Sequence, residues 1–435
     1  MPPFLLQFIK RKSMTRKRKR RHKRRILKGK YHADWSGLPQ GIIEMIADKL
    51  PLVDRLSLSK ICRSWNAVLG EDLPCWQSHG LPWLLVSGEQ CKESRTCISI
   101  LDNRVWELKM SEAYGKYCWG SFQEWLIMVK DMNSFILEIK LLNPFTRSQF
   151  TLPPIWNFYH KIVLSGRPFE NDFVCMVLHS QHKELAFYVP GVQSWLKHKL
   201  TGEPFEDAVF CKGRFFLLDR SSNIWQIDAK SIHSSISKGD IHFGTLSELE
   251  TQCHEIKMPD MPQLNEVLIL ERHAENCILR YLVESCGEVL LVCRYFHPKQ
   301  DLVLETKKFE VYLLDLCQYS WKKLEDLKSR MLFLGKCSSS SFFAEELGIG
   351  ISNSIYFTND QAAPWWNEWD SNHLKDMSTR LGLVKNVGRN WGNFKLRNDD
   401  GELFNFHGDI DKWPYTWFTA PIWWCCKNVP PIERY

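Results

Sequence analysis

The residue types that carry catalytic or metal chemistry are scattered in this sequence of 435 residues. The nearest approach to a zinc-ligand pattern is Cys175, His179 and His182, which follow or lie within a strand-like apolar run. In a strand the side chains of such a set diverge instead of converging on one ion. The adjacent acids Glu345 and Glu346 are interpreted as surface charges. We therefore expect no metal, no cofactor and no catalytic residue.

The sequence motifs of common enzymes are also missing. There is no G-x-S-x-G elbow, no H-E-x-x-H zinc motif, no P-loop and no G-x-G-x-x-G, since the pair Gly348 and Gly350 lacks a third glycine. An enzyme built on a β scaffold is the less favoured hypothesis, because the sequence offers no convergent catalytic groups. The pattern favours a binding protein.

Charge is divided unevenly along the chain. Residues 1–30 hold 14 Lys and Arg and no acid, whereas the whole chain holds 57 basic and 50 acidic residues. The remainder has 43 basic against 50 acidic residues, so the net charge of +7 comes from a basic tail on an acidic body. Because like charges repel and no apolar period is present, the tail is predicted to be disordered.

The basic tract has two functional interpretations, a nuclear import signal or an arm that binds nucleic acid. A solvated extension without a function is the alternative. The residues assigned to a nuclear localisation signal are Arg16, Lys17, Arg18, Lys19, Arg20, Arg21, Lys23, Arg24 and Arg25. We therefore expect the protein in the nucleus, the cytoplasm or both.

Cysteine usage and hydropathy limit the cellular compartments in which the protein is expected. Fifteen cysteines include no C-x-x-C pair, which fits a reducing compartment better than a secreted disulfide framework. No apolar run reaches about 18 residues, so no membrane-spanning segment and no membrane partner are expected. The apolar residues 4–9 precede the positive charges, which is the reverse of the order in a secretory signal.

Residues 35–70 carry apolar side chains at helical spacing. A first helix is predicted from Pro39, whose missing N–H costs nothing in the first turn, and Pro51 ends it. Asp54 can cap a second helix, and a third buries Trp65 on its apolar face. Three short helices cannot bury all this surface alone, so the remainder should meet a partner or the next domain.

This segment resembles the F-box over about 40 residues. That family's pattern opens with Leu-Pro, continues with apolar residues at helical spacing to Leu-Pro-x-x-Asp, and closes with Val-Cys-x-x-Trp. The one departure is Ile61 in place of Val. The matching residues are Leu38-Pro39, Ile42-Ile43, Ile46, Leu50-Pro51, Asp54, Leu56, Leu58, Ile61-Cys62 and Trp65.

The resemblance implies a partner and a mechanism. F-box helices insert their apolar face into a Skp-type adaptor, which bridges to the cullin scaffold of a ubiquitin ligase. Ile61 and Trp65 are interpreted as internal packing of the helices. Such a receptor contributes proximity, by holding a target lysine near the charged conjugating enzyme. The residues implied to contact the adaptor are Leu38, Pro39, Ile42, Ile46, Leu50 and Pro51.

From about residue 80 the pattern becomes that of short apolar strands bounded by turn residues. A tryptophan recurs six positions after a turn, which predicts hairpins whose indole packs on a neighbouring strand. Repeats of about 40–50 residues are typical of β-propellers, and residues 80–435 would hold about seven or eight of them. A sandwich is the alternative. The recurring pairs are Val189 and Trp195, Asp219 and Trp225, and Asp315 and Trp321.

Two stretches interrupt the strand pattern. Residues 230–262 are interpreted as a long polar loop. Residues 361–380 are interpreted as a loop with a helical turn. Their tryptophans Trp365, Trp366 and Trp369 belong either to the core, which is favoured, or to a binding surface.

The C-terminal part resembles a plant F-box family that carries a kelch-like domain of unknown function. The resemblance implies a propeller-like substrate receptor and names no substrate. The family's acidic Asp-Gly strand survives only at residues 399–401. The matching segments are Tyr281–Val292, Phe309–Asp315 with Trp321, Leu332–Gly335, Asn353–Asp360 and Trp417–Pro421.

The sequence thus predicts a multidomain, mainly β protein. A disordered basic tail spans residues 1–33, a short three-helix F-box residues 34–78, and a kelch-like β-propeller that binds the substrate residues 79–435. The predicted function is that of the substrate-recognition subunit of an SCF-type ubiquitin ligase, without catalysis of its own. The alternative is a nuclear protein that binds nucleic acid through its tail, since the acidic body argues against nucleic acid on the propeller.

Overall fold

The chain folds into two compact units, Met1–Pro74 and Cys75–Tyr435. The predictions for the tail, for Leu50 and Pro51, and for the tryptophans at 365, 366 and 369 lie outside the described residues. The computed structural model describes residues 37–47, 58, 62–70, 81–86, 93–99, 105–131, 136–156, 161–179, 184–199, 203–238, 241–242, 245–246, 251–254, 277–298, 304–344, 352–358, 392–396, 400–403 and 415–420.

The first unit contains helices α1 (Gln40–Ala47) and α2 (Arg63–Gly70). Helix α1 starts directly after Pro39, whose carbonyl oxygen accepts the N–H groups of Ile42 and Ile43 at 3.0 and 3.3 Å. Proline at this place costs no hydrogen bond, as predicted. Of the predicted middle helix only Leu58 is described, and it is helical.

The described strands of the second unit form six sheets, numbered here as blades 1 to 6 in chain order. Blade 1 contains β1 (Leu81–Val86), β2 (Ser94–Ser99) and β3 (Val105–Lys109), and a 3₁₀ turn at Ser111–Ala113 leads onward. Blade 2 contains β4 (Tyr117–Phe122), β5 (Trp125–Asp131), β6 (Ile136–Leu142), β7 (Gln149–Thr151) and β8 (Ile155–Trp156). Blade 3 contains β9 (Lys161–Leu164), β10 (Cys175–His179), β11 (Glu184–Tyr188) and β12 (Leu196–Lys199).

Blade 4 contains β13 (Phe205–Cys211), β14 (Arg214–Asp219) and β15 (Ile224–Asp228), followed by helix α3 (Ala229–Lys238). Strands β16 (Ile241–His242) and β17 (Thr245–Leu246) extend blade 3, and β18 (Thr251–His254) completes blade 4. The prediction of a loop over residues 230–262 is therefore wrong for residues 230–254 where they are described. The amphipathic spacing of Ile232 and Ile236 lets α3 pack on the blade core.

Blade 5 contains β19 (Cys277–Ser285), β20 (Glu288–Pro298), β21 (Leu304–Asp315) and β22 (Ser320–Leu324). Blade 6 contains β23 (Arg330–Leu334), β24 (Ser340–Phe343), β25 (Ser354–Phe357), β26 (Gly392–Lys395) and β27 (Asp400–Leu403). The last strand, β28 (Tyr415–Ala420), returns to blade 1 and pairs antiparallel with β1, from Leu81 opposite Ala420 to Val86 opposite Tyr415.

The architecture is a six-bladed β-propeller. One end strand of each sheet meets that of the next, with β28 against β4, β4 against β9, β9 against β13, β13 against β19, and β19 against β24. These strands surround the central channel. The expectation of seven or eight blades is wrong, because the long strands of blade 5 and the extra strands of blades 3 and 6 take up more residues per blade than a four-strand unit needs.

The core lies between the blades. One apolar cluster joins Trp125 and Ile127 of blade 2 to Phe173 and Val177 of blade 3, and corresponding clusters fill the junctions from blade 3 through blade 6. Strand β10 is buried along its whole length because both of its faces meet a neighbouring blade. Apolar packing between neighbouring sheets therefore holds the blades in place around the axis.

Candidate adaptor-binding and target-binding sites

Two side chains hold the F-box helices together. Ile43 of α1 and Trp65 of α2 are 1% and 4% exposed. Trp65 therefore lies in the interior, as predicted, and burying side chains of this size contributes about 1.5–3 kcal/mol each. The partly buried side chains packed around them are Leu38, Ile46, Leu58, Cys62 and Val68.

The opposite face of α1 presents apolar side chains to solvent. Ile42 is 42% exposed and Met45 is 60% exposed. Residues three apart lie on the same helix face, so the two side chains form one patch. A pair of exposed large apolar side chains on a helix whose other face is already packed is a feature of surfaces that dock a partner.

The structure separates the six predicted adaptor contacts into three groups. Pro39 and Ile42 are exposed, whereas Leu38 and Ile46 are partly buried against the internal cluster. Leu50 and Pro51 lie outside the described residues. Met45, three residues after Ile42, lies on the same exposed face of α1 and was not among the predicted contacts.

At the centre of the propeller, Lys161 of β9 and Asp207 of β13 form a buried ion pair. Their Nζ and Oδ1 atoms are 2.8 Å apart, and the side chains are 6% and 3% exposed. Asp207 also accepts the N–H groups of Ala208 and Leu282, each at 2.8 Å. A buried carboxylate with this many donors links blades 3, 4 and 5 and has a structural role.

A second buried cation lies beside this pair. Arg280 of β19 donates from Nε to the Glu206 carboxylate at 2.6 Å and from Nη2 to the Arg220 carbonyl at 3.0 Å. It also donates to the Ser222 hydroxyl. Because its donors reach both the start of β13 and the turn after β14, Arg280 joins blade 5 to blade 4.

The segment 335–339, which links β23 to β24, crosses the central channel. It begins in blade 6, yet the Lys336 carbonyl accepts the Lys161 ammonium of blade 3 at 3.3 Å, and Lys336 Nζ donates to the Glu206 carbonyl of blade 4 at 3.5 Å. Ser338 meets Ser121 of blade 2 at 3.5 Å. Contacts to three blades on other sides of the axis require a path through the middle. This segment is called the channel segment below.

The tryptophan repeat has a local explanation. Asp219 accepts the indole N–H of Trp225 at 3.0 Å and the N–H of Asn223 at 2.8 Å, which closes the turn between β14 and β15. Asp315 instead accepts the N–H groups of Cys317 and Gln318. The two pairs occupy different places in their blades, since Asp219 is the last residue of the second strand of blade 4 and Asp315 the last residue of the third strand of blade 5. What recurs is an aspartate whose carboxylate accepts backbone N–H groups in a turn. The repeat does not mark the same strand in every blade.

Phe169 has the most exposed aromatic side chain in the described part of the propeller. Phe169, in the β9–β10 connection, is 64% exposed. Edge-on contacts with Trp125 at 5.8 Å and Phe150 at 5.5 Å hold its ring in place. An exposed, supported aromatic is the kind of residue that anchors protein interfaces. The signal in the sequence was a phenylalanine within the polar run from Arg167 to Asp172.

The buried thiols of the propeller remain protonated near neutral pH. Burial raises the pKa of Cys175 and of Cys293, and burial followed by the nearby Glu284 charge raises that of Cys211 to about 11. A thiol is a weak nucleophile and metal ligand unless it is deprotonated. Burial therefore gives these three cysteines a packing role.

The proposed zinc-ligand set is not brought together. Cys175 and His179 stand at opposite ends of β10, about 13 Å apart by strand rise, and His182 lies outside the described residues. The two side chains point to the same side of the strand, whereas we expected them to point to different sides. The distance along the strand is what keeps them from sharing an ion. No group of three possible metal ligands occurs among the described residues. Within the described part of the chain, no helix is long and apolar enough to cross a membrane.

The fold and the two helices define a class, a β-propeller protein with an F-box. The F-box domain profile matches residues 35–74, and that of the family described as "KIB1-4 beta-propeller" matches residues 97–385. The second match covers more than half of the chain. The chain therefore belongs to the KIB1-4 β-propeller family and is a plant F-box protein.

Its relatives agree with this assignment. The chain is 22% identical to F-box protein SKIP23 of Arabidopsis thaliana, over 75% of this chain and 84% of that protein. It is 21% identical to F-box/kelch-repeat protein At1g57790 of the same plant, over 74% of this chain and 82% of that protein. Kluyveromyces lactis Hsv2, at 6% identity and a TM-score of 0.30 over 54% of this chain and 68% of that one, is too remote to support an argument. At family level, an F-box joined to a propeller supports an SCF-type substrate receptor.

Proposed function

We propose that this protein is the substrate-recognition subunit of an SCF-type ubiquitin ligase. The F-box binds a Skp-type adaptor and, through it, a cullin scaffold, while the propeller holds the target for ubiquitination and degradation. The chain supplies no catalytic group to the transfer. Its contribution is to raise the local concentration of the target lysine near the conjugating enzyme.

The observation that carries the proposal is that helix α1 has apolar side chains on both a buried and an exposed face. Ile43 is buried against Trp65, whereas Ile42 and Met45 point outward. The inward face already stabilises the F-box, so the outward apolar patch is free to dock into a groove. Apolar anchors of this kind contribute about 2 kcal/mol or more when they occupy the centre of an interface.

Co-purification with a Skp-type adaptor tests this proposal. We expect Ile42→Ser combined with Met45→Ser to abolish adaptor binding without unfolding the chain, because neither side chain belongs to the internal cluster. The substitution Leu38→Ala with Pro39→Ala should also weaken binding. It is less diagnostic, since Leu38 packs against the internal cluster.

Glu44→Ala is the matched control on the same helix. Glu44 is exposed and accepts a hydrogen bond from Gln40 at 2.8 Å, so its loss should leave the adaptor bound. Adaptor binding that survives the double serine change would refute the proposed interface. If the unaltered chain binds no adaptor, the ligase function itself fails.

On the propeller, the target-binding surface is proposed to lie on the loops and not inside the channel. The channel segment crosses the middle, where the carbonyl groups of Cys337 and Lys336 contact blades 2 and 3. Phe169 is then a candidate anchor for a target. Phe169→Ser should reduce target retention while changing stability little, since the ring is mostly exposed.

The second proposed function, compatible with the first, is nuclear import or nucleic-acid binding by the basic tail. The observation that favours it is the presence of 14 basic and no acidic residues in residues 1–30. Nucleic-acid binding predicts an affinity that falls steeply with salt and is lost when residues 1–30 are deleted. Binding that ignores salt or persists without the tail would exclude this function.

Nuclear import is tested separately. Replacing the basic residues 16–25 by glutamine in a fluorescent fusion should shift the protein from the nucleus to the cytoplasm. An unchanged distribution would exclude an import signal at these positions.

A further inference from the structure

Three lysines of blade 2 converge around one glutamate. Lys130 lies opposite Glu138 in the β5–β6 ladder, and Lys140 follows two residues after Glu138 on the same face. Tyr117 lies opposite Val129, which places the preceding Lys116 next to Lys130 at the entry to β4. This group, Lys116, Lys130, Lys140 and Glu138, is called the lysine cluster.

The cluster carries more positive charge than its own carboxylate balances. Lys140 pairs with Glu138 at 2.8 Å, and the exposed Lys130 side chain forms no hydrogen bond or ion pair with any described residue. The nearby carboxylate of Glu112 is engaged by Arg147 at 2.9 Å. Lys116 uses one of its three N–H donors on the Glu112 carbonyl at 2.7 Å. Three ammonium groups against one carboxylate leave a surplus of two positive charges.

The electrostatics of the cluster agree with this surplus. Burial and then the charge of Lys140 lower the pKa of Lys116. The hydrogen bond from Lys140 lowers the pKa of Glu138, and the charges of Lys116 and Lys130 act in the same direction. Crowded ammonium groups of this kind gain from an added anion, which relieves their mutual repulsion.

We propose that the lysine cluster binds a phosphoryl group on a target polypeptide. A phosphorylated side chain carries about −1.5 to −2 charges and three acceptor oxygens, which match the surplus charge and the available ammonium donors. The exposed rings of Tyr114 and Tyr117 flank Lys116 in the chain and offer apolar contact area to a polypeptide. A long nucleic acid is disfavoured because the chain outside residues 1–30 is net acidic.

This inference rests on the proposed function, in which the propeller receives targets, but its test is independent of the adaptor. The probe is a degenerate peptide library with a fixed central phosphoserine, compared with a twin library that has serine there. The immobilised full-length chain should retain the phosphorylated library about tenfold better. Equal retention of the two libraries would overturn the proposal, whereas failure of the ligase function would appear only in adaptor co-purification.

Variants separate the cluster from the basic tail, which also attracts phosphate. Lys130→Gln and Lys140→Gln should each lower the preference for phosphopeptide about threefold, as expected for a partly exposed ion pair. Glu138→Gln should raise it, because the internal competitor for the ammonium groups is removed. A preference that is unchanged in all three variants would assign the binding to the tail and refute the site.

The matched control is Lys197→Gln in blade 3. Lys197 of β12 pairs with Glu184 of the neighbouring strand β11 at 3.0 Å. Its loss should leave the phosphopeptide preference unchanged, and thermal unfolding should show that all variants remain folded. Competition by a single-stranded oligonucleotide that depends on Lys130 and Lys140, without any phosphopeptide preference, would show a nucleic-acid site and overturn the proposal.

Discussion

At the scale of single residues, the structure shows which polar side chains are held by geometry. Glu310 of β21 accepts hydrogen bonds from Tyr295 at 2.6 Å and Tyr312 at 3.0 Å, and ammonium groups from Lys323 and Lys308 at 2.9 and 3.0 Å. Burial alone would raise the pKa of Glu310, but these four donors together lower it to about 2. The carboxylate therefore stabilises the folded state.

The lowered pKa of Glu310 predicts how the free energy of unfolding depends on pH. The ordinary pKa of this carboxyl is 4.5, so its contribution is fully present above that value and disappears as the pH falls toward about 2. Glu310→Gln should cost about 1 kcal/mol at pH 7, because the site is partly solvated, and the difference from the unaltered chain should shrink in acid. Urea unfolding at pH 7 and pH 3 measures it.

Glu184→Gln is the control for this experiment. Its carboxylate pairs with Lys197, whose side chain is 39% exposed, and a solvent-exposed pair of this kind should contribute less than about 0.5 kcal/mol at pH 7. A Glu310 effect that is equal at both pH values would contradict the predicted linkage.

Gly120 supports the channel segment by lacking a side chain. Its φ is +144°, and a Cβ there would lie 3.0 Å from the Cys337 carbonyl oxygen. Gly120→Ala should therefore lower stability by about 1–3 kcal/mol, through backbone strain and displacement of the segment. Thermal unfolding measures this loss.

The variant Gly191→Ala separates the effect of backbone strain from that of displacing the channel segment. Gly191 also has a positive φ, +91°, but nothing lies within 4 Å of an added Cβ. Its replacement should cost about 1 kcal/mol or less, which reports backbone strain alone. Equal losses at the two positions would mean that the contact with Cys337 contributes nothing.

At the scale of elements, helix α1 divides its apolar residues between the core and the surface. Ile43→Ala should destabilise the F-box by about 2–4 kcal/mol, because it opens a cavity against Trp65. Ile42→Ala should leave stability within about 0.5 kcal/mol, because the side chain is already exposed. Limited proteolysis of residues 35–74 compares the two variants.

One result would contradict the predicted difference between Ile42→Ala and Ile43→Ala. If Ile42→Ala exposes the F-box to protease as strongly as Ile43→Ala does, then Ile42 belongs to the core and the outward patch does not exist. Retained protection with lost adaptor binding would assign Ile42 to the interface.

At the scale of the whole molecule, the propeller depends on its last strand. Strand β28 pairs with β1 of blade 1 along its full length and contacts β4 of blade 2. Ending the chain before Tyr415 should therefore open the ring, expose the edge of β1 and cause aggregation or loss of cooperative unfolding. Ending it after Ala420 keeps the ladder and is the control. A truncated chain that lacks β28 and still unfolds cooperatively would contradict this account.

Much of the fold followed from local signals. The apolar runs at Trp83–Val86, Trp125–Val129, Phe215–Leu218 and Glu288–Val292 all lie in strands, because apolar residues bounded by turn formers leave few other choices. The F-box was predictable because its spacing is local to about 40 residues. The number of blades was not, because strand lengths vary and only contacts between sheets close a ring.

The sequence by itself determined the two kinds of domain, the uneven charge and the F-box pattern, since composition and short-range periodicity specify them. Only the tertiary structure decided which side chains are buried, which are exposed and which charged groups lie close together. It turned Ile43 inward and Met45 outward, brought Lys161 and Asp207 together across two blades, and placed Lys116, Lys130 and Lys140 around Glu138. The physical reason is that burial and charge depend on neighbours that are distant in the chain, and strand pairing and blade packing choose those neighbours.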